Sequence, residues 1–287
     1  MRAGRATVQR EFGSLRSYSP ATPFLKWAGG KAQLLTQLSP FFPKEFGVYF
    51  EPFLGGGAVF FHLRPERAVL SDTNPELINV FQVVRDNREG LVAALDRHRV
   101  HRNSETYFYK IRKQNPTEMS VVERAARTIF LNKTCYNGLW RVNAKGEFNV
   151  PFGKYKNPTL YDPENIAAAS GTLRGKIVTV GDYRDITMYA RKEDFVYLDP
   201  PYQPLSTTSS FTGYTTESFG ESDQKELSVV FRELDQRGCK VLLSNSATDF
   251  VWSLYERYRI HRVKAKRAIN SQASGRGKID EYLIMNY

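Results

Sequence analysis

Glu51-Pro52-Phe53-Leu54-Gly55-Gly56-Gly57-Ala58 links the apolar run Val48–Glu51 to an apolar helix start, Ala58-Val59-Phe60-Phe61. Glycines at a strand-to-helix turn let the backbone pass close to a ligand, and the helix N-terminus offers N–H groups with no partner inside the helix. Such a turn suits a nucleoside cofactor, although a glycine-rich turn that binds nothing has the same composition. The three glycines are consecutive, so the dinucleotide spacing G-x-G-x-x-G is absent, and no Gly-Lys-Ser/Thr follows to make a P-loop. Working outward, Ala68-Val69-Leu70 predicts a short strand ending at Asp72, and Thr73-Asn74-Pro75-Glu76 can cap the next helix. The pattern is strand, turn, helix, strand. At the carboxyl end of a strand in such a fold, Asp72 can accept hydrogen bonds from both ribose hydroxyls; the alternative is a helix-capping Asp.

The same rhythm returns downstream. Strands are expected near Ile177–Val180, Phe195–Leu198 and Val241–Leu243, an amphipathic helix near Asp223–Arg237, and a closing strand over Ile279–Tyr287. Directly after Phe195-Val196-Tyr197-Leu198 stands Asp199-Pro200-Pro201-Tyr202. An amino nitrogen conjugated to a purine has a delocalised lone pair and is a poor nucleophile until neighbouring acceptors favour its pyramidal form. Asp199 can accept one amino hydrogen, a proline-held carbonyl the other, and Tyr202 can stack on the ring. Two prolines fix the backbone and bring no N–H to compete. With a methyl sulfonium as electrophile, this chemistry needs no general base, metal or covalent intermediate. The bland alternative is a Pro-Pro loop after a buried strand.

Between the two halves, from about Glu89 to Tyr161, the character changes. Helical periodicity over Tyr107–Gln114 and Val121–Phe130 gives way to Arg141–Val150, which reads as a hairpin turning at Lys145-Gly146. Arg97–Lys156 holds thirteen Lys and Arg against four Asp and Glu, and Arg257–Lys278 holds eight against none. A solvated face can be as lopsided, but 41 basic residues against 30 acidic leave a formal charge of +11, which raises the expectation of a polyanionic partner. The division expected is a flexible basic tail at 1–22, a catalytic α/β domain at 23–88 and 162–287, and a basic insertion at 89–161. Cys135 and Cys239 are the only cysteines and lack paired spacing, so a disulfide framework and a thiolate zinc site are both unsupported and a reducing cytoplasm is expected. No apolar stretch approaches the roughly 20 residues that span a bilayer.

With these residues in view, the chain from about Pro23 to Tyr287 resembles the Dam-type adenine-N6 DNA methyltransferases. The blocks occur in that family's order: Phe24-Leu25-Lys26-Trp27-Ala28-Gly29-Gly30-Lys31, then Glu51–Gly57, then Cys135-Tyr136-Asn137-Gly138-Leu139-Trp140-Arg141 and Gly146–Tyr155, then Asp199–Tyr202. The resemblance implies a Rossmann-like α/β sheet with a helical and hairpin target-recognition insertion, and S-adenosylmethionine as cofactor. It implies cofactor contacts from Trp27, Lys31, Phe53, Gly55, Gly57, Asp72, Asp182, Tyr183 and Asp199, and catalysis by Asp199, Pro200, Pro201 and Tyr202. It further implies contacts to double-stranded DNA from Lys26, Tyr136, Asn137, Leu139, Arg141, Pro151, Lys154 and Tyr155, with Arg141 on a guanine edge or, alternatively, a phosphate, and Pro151 on a thymine methyl. Lys266 and Arg267 are expected to follow phosphates.

GATC is the expected site, methylated on its adenine after that base leaves the stack. Lys154 and Trp140 depart from residues common in such hairpins. The rival readings are methylation of cytosine N4 or of a glutamine side-chain amide, and a catalytically silent DNA-binding protein. No metal and no membrane contact are expected; the chain is expected to act as a monomer at the nucleoid, with a cognate restriction endonuclease in the same system as an option that implies no direct contact.

Overall fold

The computed structural model describes residues 20–202, 219–266 and 278–287. In chain order its helices and strands are α1 (Leu35–Leu38), β1 (Tyr49–Glu51), α2 (Ala58–Leu63), β2 (Ala68–Asp72), α3 (Pro75–Asp86), α4 (Arg88–Arg99), α5 (Glu105–Arg112), α6 (Val121–Thr134), α7 (Pro163–Leu173), β3 (Ile177–Val180), α8 (Ile186–Tyr189), β4 (Phe195–Leu198), α9 (Glu221–Gln236), β5 (Lys240–Ser246), α10 (Asp249–Tyr255), β6 (Arg259–Lys266) and β7 (Lys278–Met285). The seven strands form one sheet in the order β3-β2-β1-β4-β5-β7-β6. The first five are mutually parallel, and β7 runs antiparallel between β5 and β6.

Period-two alternation on the strands explains the layering. Tyr49, Phe195, Tyr197 and Leu242 face one side, where they pack with apolar residues of α2, α3, α4, α6 and α7. Phe50, Val196, Leu198, Val241 and Leu243 face the other, against α8, α9 and α10. Helices on both faces are why β4 is buried at every position and reads as an uninterrupted apolar run.

Local signals set the helix starts. Asn74 caps α3 by accepting from the N–H groups of Glu76 and Leu77, with Pro75 at the first helical position. Asp72 is therefore not the cap, and its carboxylate is turned to other partners. Ser120 and Glu123 close a reciprocal capping box at α6.

The segment between β2 and β3 does not stand apart as cleanly as its composition suggests. Leu91, Ala94 and Leu95 of α4 and Ala125, Ala126 and Ile129 of α6 join the core beside the sheet, whereas Phe130 and Leu131 of α6 turn to a small core of their own with Phe108, Ile111, Trp140, Phe148 and Val150. One helix thus belongs to both cores. The expected hairpin is present in reduced form: a single antiparallel bridge, Val142 to Phe148, replaces two strands. The turn spans Asn143–Gly146, with Gly146 at φ +77°, and the Asn143 side chain accepts from the N–H groups of Lys145 and Glu147. Side-chain bonding to the backbone holds the loop where a ladder would otherwise be needed. The interval expected as a tail is ordered at its end, since Ala21 is buried and Thr22 bonds to Asn165 through both N–H and hydroxyl.

Candidate active site

The carboxyl ends of the parallel strands bring the candidate residues together, as expected for ligand sites in open α/β sheets. Asp199 leaves β4 and pairs with Lys31 at 2.7 Å; the lysine is only 4% exposed and also donates to the Gly29 carbonyl at 3.0 Å. Its ammonium lies 4.7 Å from the centre of the Tyr202 ring. Burial pushes the Asp199 carboxyl up to about 6 while the Lys31 cation opposes that rise. Glu51, 3% exposed and bonded by the Tyr49 hydroxyl at 2.8 Å, is pushed up to about 8 by burial. On the neighbouring strands, Tyr197 and Ser244 share a hydroxyl–hydroxyl bond of 2.9 Å. Alternation puts Tyr49, Glu51, Tyr197 and Ser244 on one face, a polar stripe across the end of an otherwise apolar layer.

The glycine turn is held from two sides. Asp72 accepts from Gly55 N–H and from Asn74 N–H, both at 3.0 Å, and burial raises its carboxyl above the usual range. Gly55 lies at φ +48°, and a Cβ there would come within 2.9 Å of the Trp27 indole. No other residue fits both the left-handed backbone and the indole. Phe53 stacks on Tyr183 with centroids 5.1 Å apart, beside a cleft of about 150 Å³ whose walls include Pro52, Ser71, Gly181 and Asp182. Asp182 meanwhile pairs with Arg184 at 2.7 Å and caps the turn Tyr183–Asp185. Gly57 begins α2 at φ +69°.

A cleft beside the Phe53–Tyr183 stack, three neighbouring acids (Glu51, Asp72 and Asp199) and one lysine suit a ligand that joins a purine nucleoside to positive charge. S-adenosylmethionine has that chemistry: an adenosine, a sulfonium and an ammonium. Asp199 also accounts for how Lys31 can be buried, since an unpaired ammonium there would be costly.

The second group of candidates meets the first at the signature segment. Lys26 N–H donates to the Asn132 side chain at 2.9 Å, and Asn132 Nδ2 donates to the carbonyls of Lys26 and Gly138 at 2.8 and 3.1 Å. One buried asparagine therefore ties residue 26 to the turn Tyr136–Gly138. Gly138, at φ +65°, lets the Lys26 stem lie against its backbone, and the Lys26 ammonium lies 4.7 Å from the Tyr155 ring centre. Tyr136 N–H bonds the Pro151 carbonyl at 2.8 Å, and Arg141 is oriented by Asn149 Oδ1 at 2.7 Å. Tyr136, Asn137, Arg141, Pro151 and Lys154 are exposed, and Leu139 and Tyr155 half-buried. Lys266 ends β6, and Arg267 lies outside the described residues.

Three participants escape a reading of motifs. Gln224 donates to the Pro201 carbonyl at 3.3 Å and is itself held by Asn245 at 2.8 Å; the Tyr202 hydroxyl donates to Glu281 at 2.7 Å. The polar run Ser244-Asn245-Ser246 ending a buried strand is the signal that could have found the first pair.

Residues 27–269 match the D12 class N6 adenine-specific DNA methyltransferase family. The chain belongs to that family. This D12 methyltransferase is 44% identical over 271 residues to a Type II methyltransferase of Lactococcus lactis subsp. cremoris, covering 92% of this chain and 95% of the relative. It is equally 44% identical over 285 residues to a Type II methyltransferase of Methanocaldococcus jannaschii, covering 92% and 99%. The DNA adenine methylase of Escherichia coli K12 is 37% identical over 263 residues, covering 91% and 94%. The methyltransferase is thus an S-adenosylmethionine-dependent enzyme that modifies adenine in DNA, which removes the cytosine, glutamine-amide and silent alternatives. Among the described residues no helix is long and apolar enough to cross a membrane.

Proposed function

We propose that the methyltransferase methylates N6 of the adenine in GATC, after that adenine has swung out of the duplex into the space between Asp199 and Tyr202. The observation that carries this reading is the Lys31–Asp199 pair, in which one buried cation holds a carboxylate beside an aromatic ring. Asp199 accepts one N6 hydrogen. Because Gln224 engages the Pro201 carbonyl, the second acceptor is the carbonyl of Pro200. Both bonds draw the nitrogen toward pyramidal geometry and free its lone pair, while Tyr202 stacks on the purine. A bound sulfonium would supply the electrophilic methyl group, the N–C bond forming as the S–C bond breaks; the methylated N6 is then acidic and loses its proton to solvent, so Asp199 serves as a hydrogen-bond acceptor and not as a base. Trp27, Phe53, Asp72, Asp182 and Tyr183 hold the cofactor at the turn that contains Gly55 and Gly57.

Sequence readout falls to residues 89–161 and to Lys26. Arg141, already aimed by Asn149, bonds a guanine edge; Leu139 and Tyr155 pack at the outer base pair; and Pro151 meets a thymine methyl. Tyr136 and Asn137, both exposed, contact the duplex, and Lys154, Lys266 and Arg267 follow phosphates. The enzyme works as a monomer in the cytoplasm, alone or alongside a restriction endonuclease. Methyl transfer to duplexes carrying each single-base change of GATC tests the assignment: a sharp loss at every position is expected, and equal rates on all of them would refute it.

A further inference from the structure

Glu281 is a buried acid, 9% exposed, that neither the glycine turn nor the Asp-Pro-Pro-Tyr segment accounts for. It is carried to the site by strand direction. Because β7 runs antiparallel to β5, its first residues lie at the carboxyl ends of the parallel strands, and Glu281 is in register with Ser246. There its Oε2 accepts the Tyr202 hydroxyl at 2.7 Å. Both groups act on Asp199: the Tyr202 hydroxyl draws its carboxyl down and the Glu281 carboxylate pushes it up. Burying an acid beside another acid costs stability that hydrogen bonds must offset, and Glu281 accepts one from the Tyr202 hydroxyl.

We propose that Glu281 is a positioning residue that holds the Tyr202 ring by its hydroxyl and so leaves Asp199 free to accept the adenine amino group. The proposal rests on the stacking role given to Tyr202 above. Without Glu281, the tyrosine hydroxyl turns to the remaining carboxylate, occupying the acceptor the substrate needs and tilting the ring away from the stack. Glu281 touches neither substrate nor cofactor, and its effect passes entirely through Tyr202.

The test is a double-mutant cycle read as kcat, with KM for DNA and for S-adenosylmethionine measured in parallel. Glu281→Ala is expected to lower kcat by roughly 10- to 100-fold, the range for losing a hydrogen bond to a charged group, with both KM values little changed. Glu281→Gln keeps an acceptor oxygen and is expected to recover most of the rate. In the Tyr202→Phe background, Glu281→Ala should add almost nothing. Wild-type kcat in Glu281→Ala, or an equal loss in both backgrounds, overturns the proposal. Tyr202→Ala separates the two levels. If it retains wild-type kcat, the stacking reading fails; if it loses activity while Glu281→Ala does not, only the positioning role falls.

Discussion

Asp199 is under two opposed influences, a desolvated site that favours the neutral acid and a lysine cation that favours the carboxylate. The carboxylate is the stronger acceptor of an amino hydrogen and carries no O–H of its own, so the rate of methyl transfer should fall as pH drops through about 6, where the folded carboxyl takes up its proton. Lys31→Met removes the influence that lowers this value, and the acid limb of single-turnover methyl transfer should move to higher pH; an unmoved limb would show that the pair does not control the carboxylate. Asp199→Ala should lower kcat by about 100- to 1,000-fold, the usual effect of removing one preorganised polar group, while DNA affinity is retained. A turnover number near that of the unaltered enzyme would contradict the role. Glu51 differs from Asp199 in that, among the described residues, it forms no ion pair, and its partner is the Tyr49 phenol. The two buried acids therefore sit at different positions on the pH scale, about 8 and about 6.

Among the elements, the turn between β1 and α2 is the most tightly specified. Gly55→Ala would force a left-handed backbone on a residue with a Cβ and push that Cβ into the Trp27 indole. A cost of about 1–2 kcal/mol is expected for the backbone alone, seen as a melting temperature lowered by several degrees, together with weaker S-adenosylmethionine binding by calorimetry. Unchanged affinity and melting would mean that the indole moves aside freely. The elements legible in the sequence are those whose signals are local: Asn74-Pro75 starting α3, the all-apolar β4, and the helical periodicity over Val121–Phe130 in α6. Those that were not legible depend on distant partners. α4 is a helix whose apolar face is narrow, and β6 is basic on its exposed side, with Val263 buried where the strand pairs with β7 and meets the main core. The hairpin expected over Arg141–Val150 is present, but Asn143 organises the loop through its side chain, and one bridge takes the place of two strands. For the site, Asp199, Lys31 and Asp72 are visible because they belong to motifs, while Glu281, Gln224 and Asn132 become visible only when strand order and helix packing place them.

Across the whole molecule, the fold puts a carboxylate-rich cleft at the carboxyl ends of the parallel strands next to the basic segment between β2 and β3, with Asn132 and the Trp27–Trp140 stack, centroids 6.2 Å apart, joining the two. The surplus of +11 charges favours phosphate binding of any sequence. Replacing Lys266 and Arg267 by Ala should weaken binding to all duplexes alike and reduce the slope of log affinity against log salt by about 0.9 for each phosphate no longer neutralised; an unchanged slope would place both side chains away from DNA. The central claim is that adenine leaves the helix before it is methylated. Extrusion is opposed by the pairing and stacking of the target base, at a cost of a few kcal/mol, so weakening that one pair in advance should strengthen binding. The direct measurement is the Kd for a GATC duplex with the target adenine mispaired, set against the intact duplex and one carrying the same mismatch just outside the site. Tighter binding for the target mismatch alone is the predicted result. Equal or weaker binding there would contradict an extruded adenine held between Asp199 and Tyr202.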